Sequence, residues 1–100
     1  MIPRPQIPDG PYLVVGLARS GQSAAKLLAS RGYAVTGVDS GHPDGADTLG
    51  DFGVAAHLGN DGLRLLDAAQ VIVKSPGVPN EAPVIAAARA AGKTVLGELE

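Results

Sequence analysis

Five short apolar runs recur along the 100-residue chain, at Tyr12 to Val15, Tyr33 to Asp39, Val54 to Leu58, Gln70 to Lys74 and Thr94 to Leu96. Each is too brief for a helix and is bounded by glycine, proline or polar residues, so each reads as a strand, the first buried and the third short and alternating. The stretches between them carry helical patterning. A first helix is predicted from Ser20 or Gly21 to Arg31, with Gly32 suited to the left-handed residue after its end. Residues 40–50 hold Gly41, Pro43, Gly45 and Gly50, so a loop is expected there, with at most a short helix around Ala46 to Phe52. Asp61 is placed to cap a helical turn through Leu66. Asn80 or Glu81 opens a later helix that has Pro83 in its first turn, turns Val84, Ile85 and Ala88 toward the sheet, and ends before Gly92.

Parallel strands need long crossovers, and the runs alternate with helical stretches, so the fold class is α/β. The expected architecture is a doubly wound sheet of about five parallel strands with helices on both faces. Ligands of such sheets bind beyond the carboxyl ends of the strands, where the strand order reverses. The segments just after strands one, two and four, Gly16 to Gly21, Asp39 to Gly41 and Ser75 to Gly77, are therefore the candidate binding groups.

Composition narrows the partners. Eight Lys and Arg stand against ten Asp and Glu, so there is no basic field for nucleic acid or an anionic membrane. Only Tyr12, Tyr33 and Phe52 are aromatic, which leaves no base-stacking platform. Absence of cysteine excludes disulfides and thiolate metal sites. Residues 1–10, broken by Pro3, Pro5 and Pro8, read as an irregular arm without the apolar core of a signal peptide, and no run approaches a membrane span. A cytoplasmic domain over residues 11–100 is the expectation.

The chemistry gathers where strand one meets the first helix. The first N–H groups of a helix lack intrahelical acceptors and the helix dipole is positive there, so an anion, here a phosphate, docks readily. Against the dinucleotide pattern G-x-G-x-x-G, the turn shows Gly16, Ala18 and Gly21, with alanine in the middle position. Asp39 ends strand two about 20 residues further on, where a carboxylate accepts hydrogen bonds from a nucleotide. Against G-x-x-x-x-G-K-[ST], Gly16, Gly21 and Ser23 fit, but Gln22 stands where lysine is needed, so ATP hydrolysis at this turn is rejected. Packing glycines remain the alternative for the turn, and a strand-end cap the alternative for Asp39. Arg19 is either a solvated side chain or a partner for a diphosphate, and Lys74 either meets ligand or reaches solvent. Ser75-Pro76-Gly77 is an abrupt turn facing the first one, or an ordinary connection. His42 and His57 are read as structural or exposed. No catalytic set and no metal cluster emerges.

Four segments together, Val15-Gly16-Leu17-Ala18-Arg19-Ser20-Gly21, Asp39-Ser40, Val73-Lys74-Ser75-Pro76-Gly77-Val78-Pro79 and Leu96-Gly97-Glu98-Leu99-Glu100, resemble the N-terminal domain of the Mur ligases, and within them the D-glutamate-adding members. The resemblance covers Tyr12 to Glu100. It implies a Rossmann-like domain that holds the uridine diphosphate end of UDP-N-acetylmuramoyl-L-alanine in peptidoglycan precursor synthesis. Ala18, Arg19, Ser20 and Gly21 then fall on the diphosphate loop, Asp39 and Ser40 at the uracil, and Ser75 and Gly77 beside uridine and diphosphate. Ala18 replaces a common glycine, and Gly41 stands where some members have arginine.

The resemblance further implies that ATP, magnesium and D-glutamate bind central and C-terminal domains outside these residues. This chain alone is then non-catalytic and without a cofactor, as an isolated or truncated first domain. Three alternatives remain: the first domain of an L-alanine-adding Mur ligase, the NAD domain of an oxidoreductase, and a non-catalytic interaction domain.

Overall fold

A computed structural model describes residues 10–79 and 81–97. The expected arm, except for Gly10, and the segment Glu98-Leu99-Glu100 lie outside the described residues. The elements run β1 (Tyr12–Val15), α1 (Arg19–Ser30), β2 (Val35–Asp39), a 3-10 helix (Ala46–Phe52), β3 (Ala55–Leu58), a second 3-10 helix (Leu63–Ala68), β4 (Val71–Lys74), α2 (Pro83–Ala90) and β5 (Thr94–Leu96).

The strands form one sheet in the order β3-β2-β1-β4-β5, with every pairing parallel. The sequence grows outward from β1 to β3, then jumps back across β1 to β4. Crossovers of one hand place their helices on opposite faces when the direction of growth reverses. Accordingly α1 and the first 3-10 helix cover one face, and α2 with the second 3-10 helix covers the other. Alternation along β1 feeds both. Tyr12 and Val14 pack with Ala25, Leu28 and Leu49, whereas Leu13 and Val15 pack with Leu66, Ile72, Val84 and Ile85. All four β1 residues are buried, which is why that strand reads as a continuous apolar run. Each fully buried large side chain here contributes about 1.5–3 kcal/mol.

Boundaries moved for local reasons. Helix α1 begins at Arg19 and buries Gly21, Ala25 and Leu28, a single stripe at helical spacing. Tyr33 belongs to the turn after α1 instead of β2. Its N–H donates to the Leu28 carbonyl at 3.2 Å, and its ring sets edge-on against Tyr12 at 5.3 Å. Helix α2 begins at Pro83, whose missing N–H is no loss in the first helical position, and not at Glu81; Asn80 lies outside the described residues. Asp61 does accept from the Leu63 N–H at 3.0 Å. Among the described residues no helix is long and apolar enough to cross a membrane.

Candidate functional site

The reversal in strand order puts the carboxyl ends of β1 and β4 side by side, in register from Tyr12 with Val71 to Val15 with Lys74. Both strands therefore break into their turns at the same level. The Ser75 N–H continues the ladder to the Val15 carbonyl at 3.0 Å, and the Gly16 N–H continues it on the other side to the Val38 carbonyl at 2.8 Å. Gly16 then turns with φ +91°, where side-chain residues are strained, and a Cβ there would come within 2.7 Å of Val78 Cγ2. Over this turn sits the first turn of α1. Gly21 is buried against it, and a Cβ on Gly21 would overlap the Gly16 carbonyl.

The start of α1 lacks its usual internal satisfaction. Its N-cap is Ala18, no side chain caps it, no acidic residue occupies its first turn, and Arg19 is its first residue. An alanine N-cap forgoes about 1 kcal/mol relative to Ser, Thr, Asp or Asn, and a cation beside the positive end of the dipole is unfavourable. Both features suit an anion supplied from outside. At φ −67° Ala18 needs no glycine, so the departure from the three-glycine pattern leaves the backbone undisturbed.

Asp39 ends β2 and turns inward. One carboxylate oxygen accepts from the Leu17 N–H at 2.7 Å and the other from the Gly41 N–H at 2.7 Å. It thus holds the glycine turn and the start of its own loop, and each oxygen retains a further lone pair for a ligand donor. Ser75 is also tied inward: its buried hydroxyl donates to the Gly16 carbonyl at 2.7 Å. Ser75→Ala should cost about 1–2 kcal/mol, because that carbonyl loses its buried donor, and thermal melting reads the loss. An unchanged melting temperature would show that the bond contributes nothing. Lys74, for which two readings stood, folds back so that its ammonium donates to the Val78 carbonyl at 2.7 Å, bracing the Ser75–Val78 turn.

Two clefts flank the glycine turn. The first, about 410 Å³, is lined by Gly16, Ala18, Asp39, Ser40, Ser75 and Gly77 over a floor of Val15, Val38, Val78 and Val84. The second, about 540 Å³, lies on the α1 side and is lined by Arg19, Ser20, Ser23, Lys74, Ser75 and Gly97. Of the candidate residues, Ala18, Asp39, Ser40, Ser75 and Gly77 share the first cleft, while Arg19, Ser20 and Ser75 share the second. Gly21 lines neither and works from beneath.

Asn60 and Asp61 also line the first cleft, and they were not among the candidates. The Asn60 N–H donates to the Asp39 carbonyl at 3.1 Å, which brings the segment after β3 alongside the end of β2. The rule that placed Asp39 at a carboxyl end applies equally to β3, and it would have found them. His42 and His57 are exposed, and among the described residues no group of three or more potential ligands could hold a metal.

Residues 11–97 match the family described as Mur ligase MurD-like, N-terminal domain. The chain is 44% identical over 94 residues to the UDP-N-acetylmuramoylalanine--D-glutamate ligase of Frankia casuarinae, covering 90% of this chain and 20% of that one. It is 43% identical over 91 residues to the enzyme of the same name from Staphylococcus carnosus, covering 88% of this chain and 20% of that one. Among solved structures, a pseudomurein peptide ligase type C from Methanothermus fervidus superposes with a TM-score of 0.67 at 24% identity, over 86% of this chain and 19% of that one. That last likeness speaks for the fold alone. The chain thus spans about one fifth of the length of the curated relatives it matches.

Proposed function

This chain belongs to the Mur ligase family as a MurD-like N-terminal domain, and on that premise we propose that it binds the uridine diphosphate end of UDP-N-acetylmuramoyl-L-alanine. The observation that carries the reading is a pair of clefts flanking the glycine turn, one lined by Ala18, Asp39 and Ser40 and the other by Arg19 and Ser20, with Ser75 lining both. The diphosphate sits at the N–H groups opening α1, with Arg19 and Ser20 beside it, so that charge and hydrogen bonding act together. The uracil ring N–H donates to a lone pair of the Asp39 carboxylate, next to Ser40, and Gly77 leaves room above the ribose. Gly21 and Ser75 hold the turn in shape without needing to reach the ligand.

The whole protein is read as an ATP-dependent, cytoplasmic ligase that joins D-glutamate to this nucleotide precursor in peptidoglycan synthesis. ATP, magnesium and D-glutamate are assigned to regions beyond these residues, and the domain supplies no catalytic group of its own.

Titrating the ¹⁵N-labelled chain with UDP should shift the amides of Ala18 to Gly21, Asp39, Ser40 and Gly77. Arg19→Ala should weaken UDP by about tenfold, the loss of one charge-assisted contact of ~1.4 kcal/mol, while stability changes by less than about 0.5 kcal/mol. Silence at millimolar UDP, or tighter binding of NADH than of UDP, would overturn the assignment.

A further inference from the structure

Gln22 occupies the position where a lysine would have made the turn a triphosphate loop, and the nucleotide reading gives it no part. Its side chain is nevertheless engaged twice. The amide Nε2 donates to the Leu17 carbonyl at 2.9 Å and to the Asp44 carbonyl at 2.8 Å, so both of its hydrogens are used. Leu17 stands before the N-cap of α1, outside the helical ladder. Its N–H is held by Asp39 and its carbonyl by Gln22, while its side chain is buried against Gly37.

The loop that follows β2 hangs from the same two side chains. Asp39 grips its beginning through the Gly41 N–H at 2.7 Å, and Gln22 grips its end through Asp44. At that end Gly45 turns with φ +85°, close enough to Gln22 that a Cβ there would come within 2.9 Å of Oε1. Asp39 and Ser40, at the near end of this loop, line the first cleft together with Ala18 of the glycine turn.

We infer that Gln22 is a positioning residue for the nucleotide cleft: it fastens the Ser40–Asp44 loop to the glycine turn, so that the base side and the diphosphate side keep one relative geometry. The inference rests on the nucleotide reading above. It differs in what it requires, because a ligand held only at the glycine turn, which Asp39 also fixes through Leu17, should depend on Gln22 less than one that spans both sides.

The test uses the ¹⁵N-labelled chain with Gln22→Met, which keeps the length but has no donor, and Gln22→Glu, which turns a carboxylate toward two carbonyl oxygens. The probes are UDP and inorganic pyrophosphate, and a thermal melt shows that each variant is folded. In Gln22→Met the UDP dissociation constant should rise by about tenfold while that of pyrophosphate stays within about twofold; in Gln22→Glu, whose added charge lies in the first turns of α1, both should weaken. Exchange of the Gly41 amide should accelerate by about tenfold as the loop loosens. Wild-type chain that ignores UDP would overturn the nucleotide reading and this inference with it. Wild-type chain that binds UDP, with a Gln22→Met variant that binds it equally well or that loses UDP and pyrophosphate in equal proportion, would overturn the inference alone.

Discussion

Replacing Gly21 by alanine is expected to destabilise the fold by about 3 kcal/mol, the upper end of the usual range for overpacked sites. The added methyl would overlap the Gly16 carbonyl and come within 2.7 Å of Ser75 Oγ, the hydroxyl that donates to that same carbonyl. Neither neighbour can step aside. Gly16 is locked into the sheet by its N–H bond to Val38, and Ser75 by its N–H bond to Val15. Relief requires α1 to lift from the β1–β4 seam, which would also carry its N–H groups away from the proposed diphosphate position. With about 4–8 °C lost per kcal/mol in a domain of this size, the melting temperature should fall by about 12–24 °C and the UDP response should vanish. Ser23→Ala, on the exposed side of the same helix, is the control and should shift stability by less than about 0.5 kcal/mol. If Gly21→Ala melts like its parent, the close approach of helix to turn is not a feature of the folded chain.

Asp39→Ala should be nearly as severe, costing about 2–4 kcal/mol. It removes the charged acceptor from two backbone N–H groups, those of Leu17 and Gly41, each such bond being worth roughly 1.5–3 kcal/mol before discounting for partial exposure. The glycine turn and the loop after β2 would be released together, and the proposed uracil acceptor would go as well. Asp39→Asn separates these effects. One oxygen can still accept, so about half of the stability should return, while an amide nitrogen faces one of the two N–H donors. Denaturant midpoints and UDP titrations on the three chains read both quantities. Full stability and full UDP binding in Asp39→Ala would remove the residue from both roles.

These expectations show where the linear reading reached and where it stopped. The runs Tyr12 to Val15 and Val71 to Val73 announced strands because burial on both faces leaves no place for polar side chains. Val84, Ile85 and Ala88 announced the inner face of α2 because three and four residues make about one helical turn. The weaker spots were the ends of elements. Tyr33 carries strand composition but is drawn into the turn by Leu28 and Tyr12, and Glu81 yields the helix start to Pro83, whose ring suits the first position.

Ser75 illustrates a different limit. Its neighbourhood was legible, since a strand ending in Ser-Pro-Gly must turn and expose polar groups near its neighbour. The direction of its hydroxyl was not, because that depends on a carbonyl 59 residues earlier in the chain. The same holds for Gln22, whose two acceptors lie 5 and 22 residues away on separate segments, and for Asn60, whose N–H bonds the Asp39 carbonyl 21 residues earlier.

By itself, then, the order of residues determined the strand and helix content, the α/β class, and three of the turns at the carboxyl ends of the strands, since alternation, helical spacing and turn chemistry are local properties. Tertiary structure alone decided that β4 lies beside β1, that Gly21 supports the turn from below instead of lining a cleft, and that Asp39 and Gln22 hold the same residue, Leu17, by its N–H and its carbonyl. Those outcomes depend on which distant atoms meet once both faces of the sheet are covered, and no local pattern carries that information.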